Sequence, residues 1–217
     1  EDLERPVSLR HGTPDARLLA EVALASGIAE IEGGALSYTL PYSRAYPLAR
    51  ALVHWQYVDR LAALLSTPER SIQRESFGVL TATLVPPVMV AVAELCELLL
   101  AVEQGVTSFT MSFSETGSLS QDIALARVLR QAAADCLARF GFARVDVFIA
   151  YHQWMGAFPY DHERASALIA MSAQKAAIVG ADKVVTKTKD EARGIPSMTS
   201  NVEAVRLVAY ALSHSQS

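Results

Sequence analysis

The sequence has little of what marks specialised protein classes. Only two cysteines, Cys96 and Cys136, occur in 217 residues, and both fall in predicted helices. This excludes a disulfide framework and leads us to expect a reducing compartment, the cytoplasm. No basic cluster accompanies the net charge of −4, so the electrostatic footprint of nucleic-acid binding is missing. We therefore expect neither a disulfide-rich secreted fold nor a nucleic-acid partner.

Long uninterrupted apolar runs are also missing. The most apolar stretch, residues 84–102, opens with two prolines and is interrupted by Glu94 and Glu97, which suits a buried helix better than a membrane span. The first six residues are charged and do not pass from basic to apolar, so we expect no signal peptide. With 51% hydrophobic and 19% charged residues, the composition predicts a globular chain with one core and no membrane partner.

Short β-like runs alternate with helical runs along the whole chain. The predicted strands are 7–9, 28–31, 71–74, 107–113, 145–151 and 183–186. The predicted helices are one that ends near residue 26, then 47–65, one that ends at 103, 120–140, 161–179 and 200–213. Thr13, Pro14 and Asp15 are expected to cap the first helix. The connection 33–46 is longer than such a unit requires, which indicates a functional loop, and a second loop is predicted at 75–87.

Such alternation requires right-handed parallel crossovers, which occur in doubly wound sheets and in (β/α)8 barrels. The first strand is followed by Arg10-His11-Gly12, which is not the glycine-rich turn of a nucleotide-binding doubly wound sheet. We therefore predict an α/β fold of the (β/α)8 TIM-barrel type, with about six βα units in a single, partial barrel domain over residues 1–217. Polar triplets follow several of the strands, where barrel enzymes place their active sites.

Longer strings are more specific than these triplets. The chain contains RHGTPDARLLAE at 10–21, EGGALSYTLPY at 32–42, HWQYVDRL at 54–61, RESFGVLTATLVPP at 74–87, YHQWMGAFP at 151–159 and TKTKDEARGIP at 186–196. In this order they resemble the epsilon subunit family of glutamate mutase, also called methylaspartate mutase. The resemblance implies a (β/α)8 barrel subunit of an adenosylcobalamin-dependent isomerase. By a radical rearrangement of the carbon skeleton, such an enzyme interconverts L-glutamate and (2S,3S)-3-methylaspartate.

The resemblance also implies a small partner subunit that holds most of the cobalamin, and an amino-acid substrate. The partner's Asp-x-His-x-x-Gly motif is absent from this chain. By resemblance, Arg10 holds a substrate carboxylate through its fork-shaped guanidinium, and Glu32 accepts a hydrogen bond from the substrate ammonium. The implied substrate-binding residues are Arg10, His11, Glu32, Tyr38 and Tyr42, and the implied catalytic residues are His152 and Glu32. The implied cofactor contacts are Pro41, Phe158, Lys187, Glu191 and Ile195.

The same residues have simpler interpretations. Arg10 could only pair with a nearby carboxylate such as Asp15, Glu32 could cap a turn, and His152 could be a satisfied core histidine. The tyrosines could be packing residues, and the lysine and glutamate at 187 and 191 could form a surface pair. A metal-dependent barrel enzyme is a competing class, because two histidines and a carboxylate at positions 11, 152 and 32 could form a metal site.

The family's subunit is about twice as long as this chain, and the resemblance starts near the third strand of its barrel. The family's two further substrate arginines belong to strands that are not in this sequence. Three explanations stay open: a piece of a longer chain, a subunit completed by another polypeptide, or a catalytically silent barrel that serves as a binding or scaffold subunit. Because an open sheet exposes two edges, we expect self-association or a completing chain.

Overall fold

The computed structural model of the protein describes residues 7–43, 45–77, 83, 85–142 and 144–214. The strands are β1 (Ser8–Leu9), β2 (Glu30–Glu32), β3 (Gln73–Glu75), β4 (Ser108–Ser114), β5 (Asp146–His152) and β6 (Lys183–Val185). The helices are α1 (Arg17–Ala25), α2 (Ala35–Thr39), α3 (Leu48–Leu65), α4 (Pro87–Glu103), α5 (Leu119–Arg139), α6 (His162–Val179) and α7 (Met198–His214). Among these helices, none has the length and apolarity required to cross a bilayer.

The strands form one parallel sheet in the order β1-β2-β3-β4-β5-β6. A doubly wound sheet reverses its strand order at a switch point, whereas this order follows the chain without reversal. A singly wound order of this kind is that of a barrel, in which all crossover helices cover the same face. The prediction of an α/β fold of the barrel type, with six βα units, is confirmed.

Curvature of the sheet is visible in one side chain. The ammonium of Lys183 on β6 pairs with Glu30 on β2 and with Glu75 on β3. In a flat sheet, β6 and β2 would lie about 19 Å apart, since neighbouring strands are about 4.8 Å apart. Side chains cannot bridge that distance, so the sheet curls, and the three residues lie on its concave side.

The two faces of the sheet differ in chemistry. Strand β4 reads Ser-Phe-Thr-Met-Ser-Phe-Ser, and strand register places its hydroxyl residues on the same face as Glu75 and His152. Its apolar residues lie on the opposite face, where they pack against α4 and α5. Parallel strands are usually apolar on both faces, so a polar concave face, called the inner face below, indicates a ligand-binding interior.

Several predicted boundaries are wrong in an informative way. The connection 33–46 contains α2, whose five residues are too few to show helical periodicity. Helix α1 begins at Arg17, and its N-cap residue Ala16 makes no side-chain hydrogen bond. Of the predicted capping residues, Asp15 accepts from the Arg17 backbone N–H at 3.4 Å, whereas the Thr13 hydroxyl bonds to Asp15 within the preceding turn. Residue 32 ends β2 and residue 152 ends β5, so both belong to strands and do not follow them. In the predicted loop 75–87, residues 78–82 and 84 lie outside the described residues.

Candidate active site

Arg10 lies beside two carboxylates on the inner face. Its Nη2 donates to Glu75 Oε1, and its Nη1 is 3.9 Å from Glu32 Oε1. The interpretation that Arg10 pairs with a nearby carboxylate is confirmed, but the partner is Glu75 and not Asp15, which pairs with Arg17 Nε at 2.9 Å. A guanidinium that uses one of its donors in a hydrogen bond to the described residues thus stands after β1, next to the ends of β2 and β3.

Glu32 is fully buried, and its two oxygens differ. Oε2 accepts a hydrogen bond from the Tyr38 hydroxyl at 3.0 Å, whereas Oε1 has no hydrogen-bond partner among the residues that the structure describes. Burial raises the pKa of Glu32 to about 7, although the charge of Arg10 lowers it. A buried oxygen without a donor is costly, so Glu32 Oε1 is a ready acceptor for a donor on a ligand. The turn-cap interpretation of Glu32 is wrong, since it is a strand residue.

Aromatic rings form a continuous row beside these carboxylates. The ring of Tyr38 lies 5.1 Å from His11 and 5.2 Å from Phe77, and Phe77 lies 6.0 Å from His152. The Tyr38 hydroxyl also contacts the His11 carbonyl oxygen. Burial, reinforced by the charge of Glu32, raises the pKa of Tyr38 far above its usual range. The row therefore forms an apolar wall with one hydroxyl turned to the carboxylate.

Tyr42 stands at the outer end of this row. It is 46% exposed, and its ring is 6.5 Å from Tyr38 and 5.9 Å from Phe77. Partial burial and the nearby charge of Glu32 raise the pKa of Tyr42 to about 12. Its hydroxyl is therefore protonated at neutral pH and available as a donor.

His152 is buried but not satisfied. The imidazole is 3% exposed, and its Nε2 lacks a hydrogen-bond partner within the described chain. Burial lowers the pKa of His152 to about 3, and the charges of Arg10, Lys187 and Lys183 act in the same direction. A neutral imidazole with one unpaired nitrogen can bond to a ligand but does not act as a cation at neutral pH. The interpretation as a satisfied core histidine is therefore wrong.

Helix α2, which carries Tyr38, is held at its N-terminus by α4. The Glu97 carboxylate accepts hydrogen bonds from the backbone N–H of Leu36 at 2.7 Å and of Ser37 at 2.8 Å, and from the Ser37 hydroxyl at 3.0 Å. A Cβ on Gly34 would lie 2.2 Å from the same carboxylate, so only glycine leaves room for this cap. The sequence shows Glu97 only as a charge in an apolar run, because its partners are about 60 residues away.

A second buried anchor supports the turn between β2 and α2. Arg74 donates to Asp59 Oδ1 at 2.6 Å and to the Gly33 carbonyl oxygen at 2.9 Å, and it also donates to the Ile31 carbonyl oxygen. Its guanidinium lies 4.8 Å from the Trp55 ring. These bonds fix the backbone on both sides of Glu32, so Arg74 acts on the site through structure. No local sequence signal distinguished it from the strand around it.

Two predicted cofactor residues pair in the turn that follows β6. Lys187 Nζ lies 2.7 Å from Glu191 Oε1, as the surface-pair interpretation expects, but Gln153 also fixes the turn. Its Oε1 accepts from the Lys187 backbone N–H at 2.9 Å, and its Nε2 donates to the Ile169 carbonyl oxygen at 2.9 Å. Gln153, the residue next to His152, therefore connects the pair of Lys187 and Glu191 to the end of β5.

The other predicted cofactor residues are more dispersed. Pro41 is half-buried and lies next to Tyr42, at the end of α2. Phe158 packs against an apolar cluster of α6 and α7, and Ile195 is 98% exposed. The predicted substrate residues thus contact one another directly. Phe158 and Ile195 do not belong to that group, because Phe158 packs against α6 and α7 and Ile195 is exposed.

The metal-site alternative is not supported. Throughout the described ranges, no three histidine, cysteine, aspartate or glutamate side chains lie together as metal ligands. His11 Nδ1 instead accepts from the Thr13 backbone N–H at 3.2 Å, and its ring stacks on Tyr38. His11 and His152 thus contact aromatic rings and Glu32 contacts the Tyr38 hydroxyl, and these three residues do not form a common metal centre.

Comparison with known proteins agrees with the resemblance seen in the sequence. The family model of the methylaspartate mutase E chain (MutE) matches residues 1–216. The glutamate mutase epsilon subunit of Escherichia coli O157:H7 is 43% identical over 206 residues, which are 95% of this chain and 43% of the relative. That of Desulfitobacterium hafniense (strain Y51) is 44% identical over 201 residues, which are 93% of this chain and 42% of the relative.

This chain therefore spans less than half the length of the curated relatives it matches. Among solved structures, 2,3-dimethylmalate lyase aligns over 88% of this chain and 60% of that chain, with 16% identity and a TM-score of 0.44, which is too low to bear on activity. The match of a family model over almost every residue is decisive. The chain belongs to the methylaspartate mutase E chain family.

Proposed function

We propose that this chain carries part of the substrate site of a glutamate mutase, which interconverts L-glutamate and 3-methylaspartate. The observation that carries the proposal is that Arg10 Nη1 lies 3.9 Å from Glu32 Oε1, an oxygen with no hydrogen-bond partner in the part of the chain that the structure describes. A zwitterionic amino acid offers a carboxylate to the first and an ammonium to the second. Charge-assisted hydrogen bonds of both kinds are among the strongest that a site can make.

The neighbouring side chains complete this recognition. The free guanidinium donors of Arg10 bind the carboxylate, while Glu32 Oε1 accepts from the ammonium. The protonated hydroxyl of Tyr42 donates to a remaining carboxylate oxygen, and Tyr38 holds Glu32 Oε2 in place. Because the ring row covers one side of the site, water is excluded from the bound ligand on that side.

Adenosylcobalamin, held mainly by a small cobalamin-binding subunit, is the cofactor we propose. It supplies the radical chemistry of the rearrangement when bound. The residues of this chain fit such a group: His152 Nε2 is buried and has no hydrogen-bond partner among the described residues, Lys187 and Glu191 offer a fixed polar pair for sugar hydroxyls, and the exposed side chain of Ile195 offers apolar contact. Pro41 and Phe158 are expected to add apolar contact from two other loops.

Further protein is expected to cover the edges of the sheet. Strands β1 and β6 each have one paired neighbour in the described sheet, and unpaired strand edges favour pairing with another segment. We propose that a completing chain or a second copy of this chain covers them. Among the described residues Arg10 is the arginine that we propose for the substrate carboxylate, and each charge-assisted hydrogen bond that it makes there contributes about 1.5–3 kcal/mol.

The decisive experiment combines the purified chain with a cobalamin-binding subunit, adenosylcobalamin and L-glutamate. We expect the methyl doublet of 3-methylaspartate to appear in the proton NMR spectrum. Arg10→Lys is expected to weaken glutamate binding and to leave association with the cobalamin subunit intact, whereas Arg17→Lys, at a half-buried arginine that pairs with Asp15, is the matched control. Absence of both turnover and glutamate binding would favour the catalytically silent alternative.

A further inference from the structure

A row of side chains with alternating charges crosses the inner face, and the proposed substrate contacts use only one end of this row. Arg10 donates to Glu75 Oε1, and Lys183 Nζ donates to Glu75 Oε2 at 2.7 Å. The same ammonium also pairs with Glu30. The row therefore runs from Arg10 after β1, through Glu75 on β3 and Lys183 on β6, to Glu30 on β2. None of the predicted site residues except Arg10 belongs to it.

Glu75 is the most buried residue among Arg10, Glu75 and Lys183 in this row of charges. Its side chain is fully buried, while the side chains of Arg10 and Lys183 are each 32% exposed. A buried carboxylate is stable only while it is paired, and both oxygens of Glu75 are occupied by cations from different strands. Glu75 therefore holds its position, and Arg10, a long side chain that directly follows the edge strand β1 of the described sheet, is held through it.

We propose that Glu75 and Lys183 are positioning residues that determine specificity: Glu75 fixes the guanidinium of Arg10, and Lys183 fixes Glu75. The site then selects a ligand by the position of its carboxylate and not by its charge alone. This inference rests on the proposed function, in which Arg10 binds the substrate carboxylate.

The opposite role, in which Glu75 competes with the ligand for Arg10, fits the contacts less well. A guanidinium has five N–H donors, and the hydrogen bond to Glu75 uses one of them. Nη1, which faces Glu32, remains free for a carboxylate. Glu75 thus orients Arg10 without consuming its binding capacity.

The first test measures order in the ligand-free chain. The NMR order parameter of the Arg10 Nε–H bond is expected to be about 0.8 in the unmodified chain and to fall below about 0.6 in Glu75→Gln. Lys183→Met tests the same inference without changing Glu75 and is expected to give a smaller decrease. The matched control is Lys175→Met, which removes a lysine from another buried carboxylate, Glu115, and is expected to leave the Arg10 signal unchanged.

The second test compares the two enantiomers of glutamate by NMR titration. L- and D-glutamate carry the same charge, so the loss of a charge at residue 75 changes both affinities equally, and only a displaced guanidinium changes their ratio. We expect Glu75→Gln to lower the L/D affinity ratio about tenfold and Lys175→Met to leave it unchanged. An unchanged ratio in Glu75→Gln overturns the inference.

The two tests separate this inference from the function on which it rests. If the unmodified chain binds neither enantiomer, the proposed function fails, and the Arg10 order parameter alone decides the positioning role. A value that stays high in both Glu75→Gln and Lys183→Met then overturns that role, and a value that falls supports it.

Discussion

Glu97→Ala is expected to release the short helix that carries Tyr38. The Glu97 carboxylate is the cap of α2, and it reaches there from α4. Alanine keeps α4 helical but removes every acceptor that the cap supplies. The variant therefore tests whether the position of Tyr38 depends on a residue about 60 positions away.

The magnitude follows from three lost hydrogen bonds. The donors are the backbone N–H groups of Leu36 and Ser37 and the Ser37 hydroxyl, at 2.7, 2.8 and 3.0 Å from Glu97 Oε1. Ser37 is 2% exposed, and a buried donor left without a partner costs about 1–3 kcal/mol. The sum is roughly 3–9 kcal/mol, and since water reaches part of the opened site we expect a loss near the lower end, about 3 kcal/mol.

Urea denaturation followed by far-UV circular dichroism measures this loss. Glu103→Ala, at an exposed position in the last turn of α4, is the matched control, because it has a similar gain in helix propensity without a buried partner. Hydrogen exchange at Leu36 and Ser37 is expected to become faster in Glu97→Ala alone. A difference below about 1 kcal/mol between the two variants, with unchanged exchange, would refute the capping role.

Three further outcomes follow from the site. Gly34→Ala places a Cβ 2.2 Å from Glu97 and is expected to destabilise the chain as much as Glu97→Ala in the same urea assay. His152 has a folded-state pKa of about 3, so as the pH falls the unfolded chain takes up a proton at this residue that the folded chain does not. The free energy of unfolding of the unmodified chain is therefore expected to be about 2 kcal/mol lower at pH 5 than at pH 8. His152→Gln is expected to lack this decrease. Glu32 has a folded-state pKa of about 7, so its ionisation destabilises the folded state as the pH rises. Glu32→Gln is therefore expected to raise the free energy of unfolding by up to about 3 kcal/mol at pH 8 and to leave it unchanged at pH 4. The same variant is expected to lose glutamate binding. Equal pH profiles for the unmodified chain and its His152 variant, or a Glu32 variant no more stable at pH 8, would contradict these assignments.

The alternation of strands and helices was readable because each element carries its own signal. Helix α6 begins after Asp161, whose side chain accepts from the Arg164 N–H at 2.8 Å, and α5 ends before Gly141, at φ +76°; both limits lie within one residue of the predicted ones. Helix α2 was not predicted, because five residues are too few to show helical periodicity. Its stability comes from the hydrogen bonds that Glu97 accepts. Boundaries of β2 and β5 moved by one or two residues because pairing with neighbouring strands, not local composition, decides where a short strand ends.

The candidate site was readable only in part. Arg10, Glu32 and His152 stand at strand ends and lie in strings that resemble the family, so the sequence marked them. Glu75 and Lys183 lie at strand positions too, but their importance comes from contacts that join residues 65 and 108 positions apart. No periodicity or motif encodes such a contact before the sheet is curled.

The sequence by itself determined the βα alternation, the family and the chemical types at the strand ends, because propensity, caps and long matching strings are local properties of the chain. Tertiary structure alone decided which carboxylate Arg10 meets, which oxygen of Glu32 stays free, and that His152 is held neutral. Those properties arise when curvature brings distant strands together and removes water from between them, since burial and the distance between charges exist only in the folded chain.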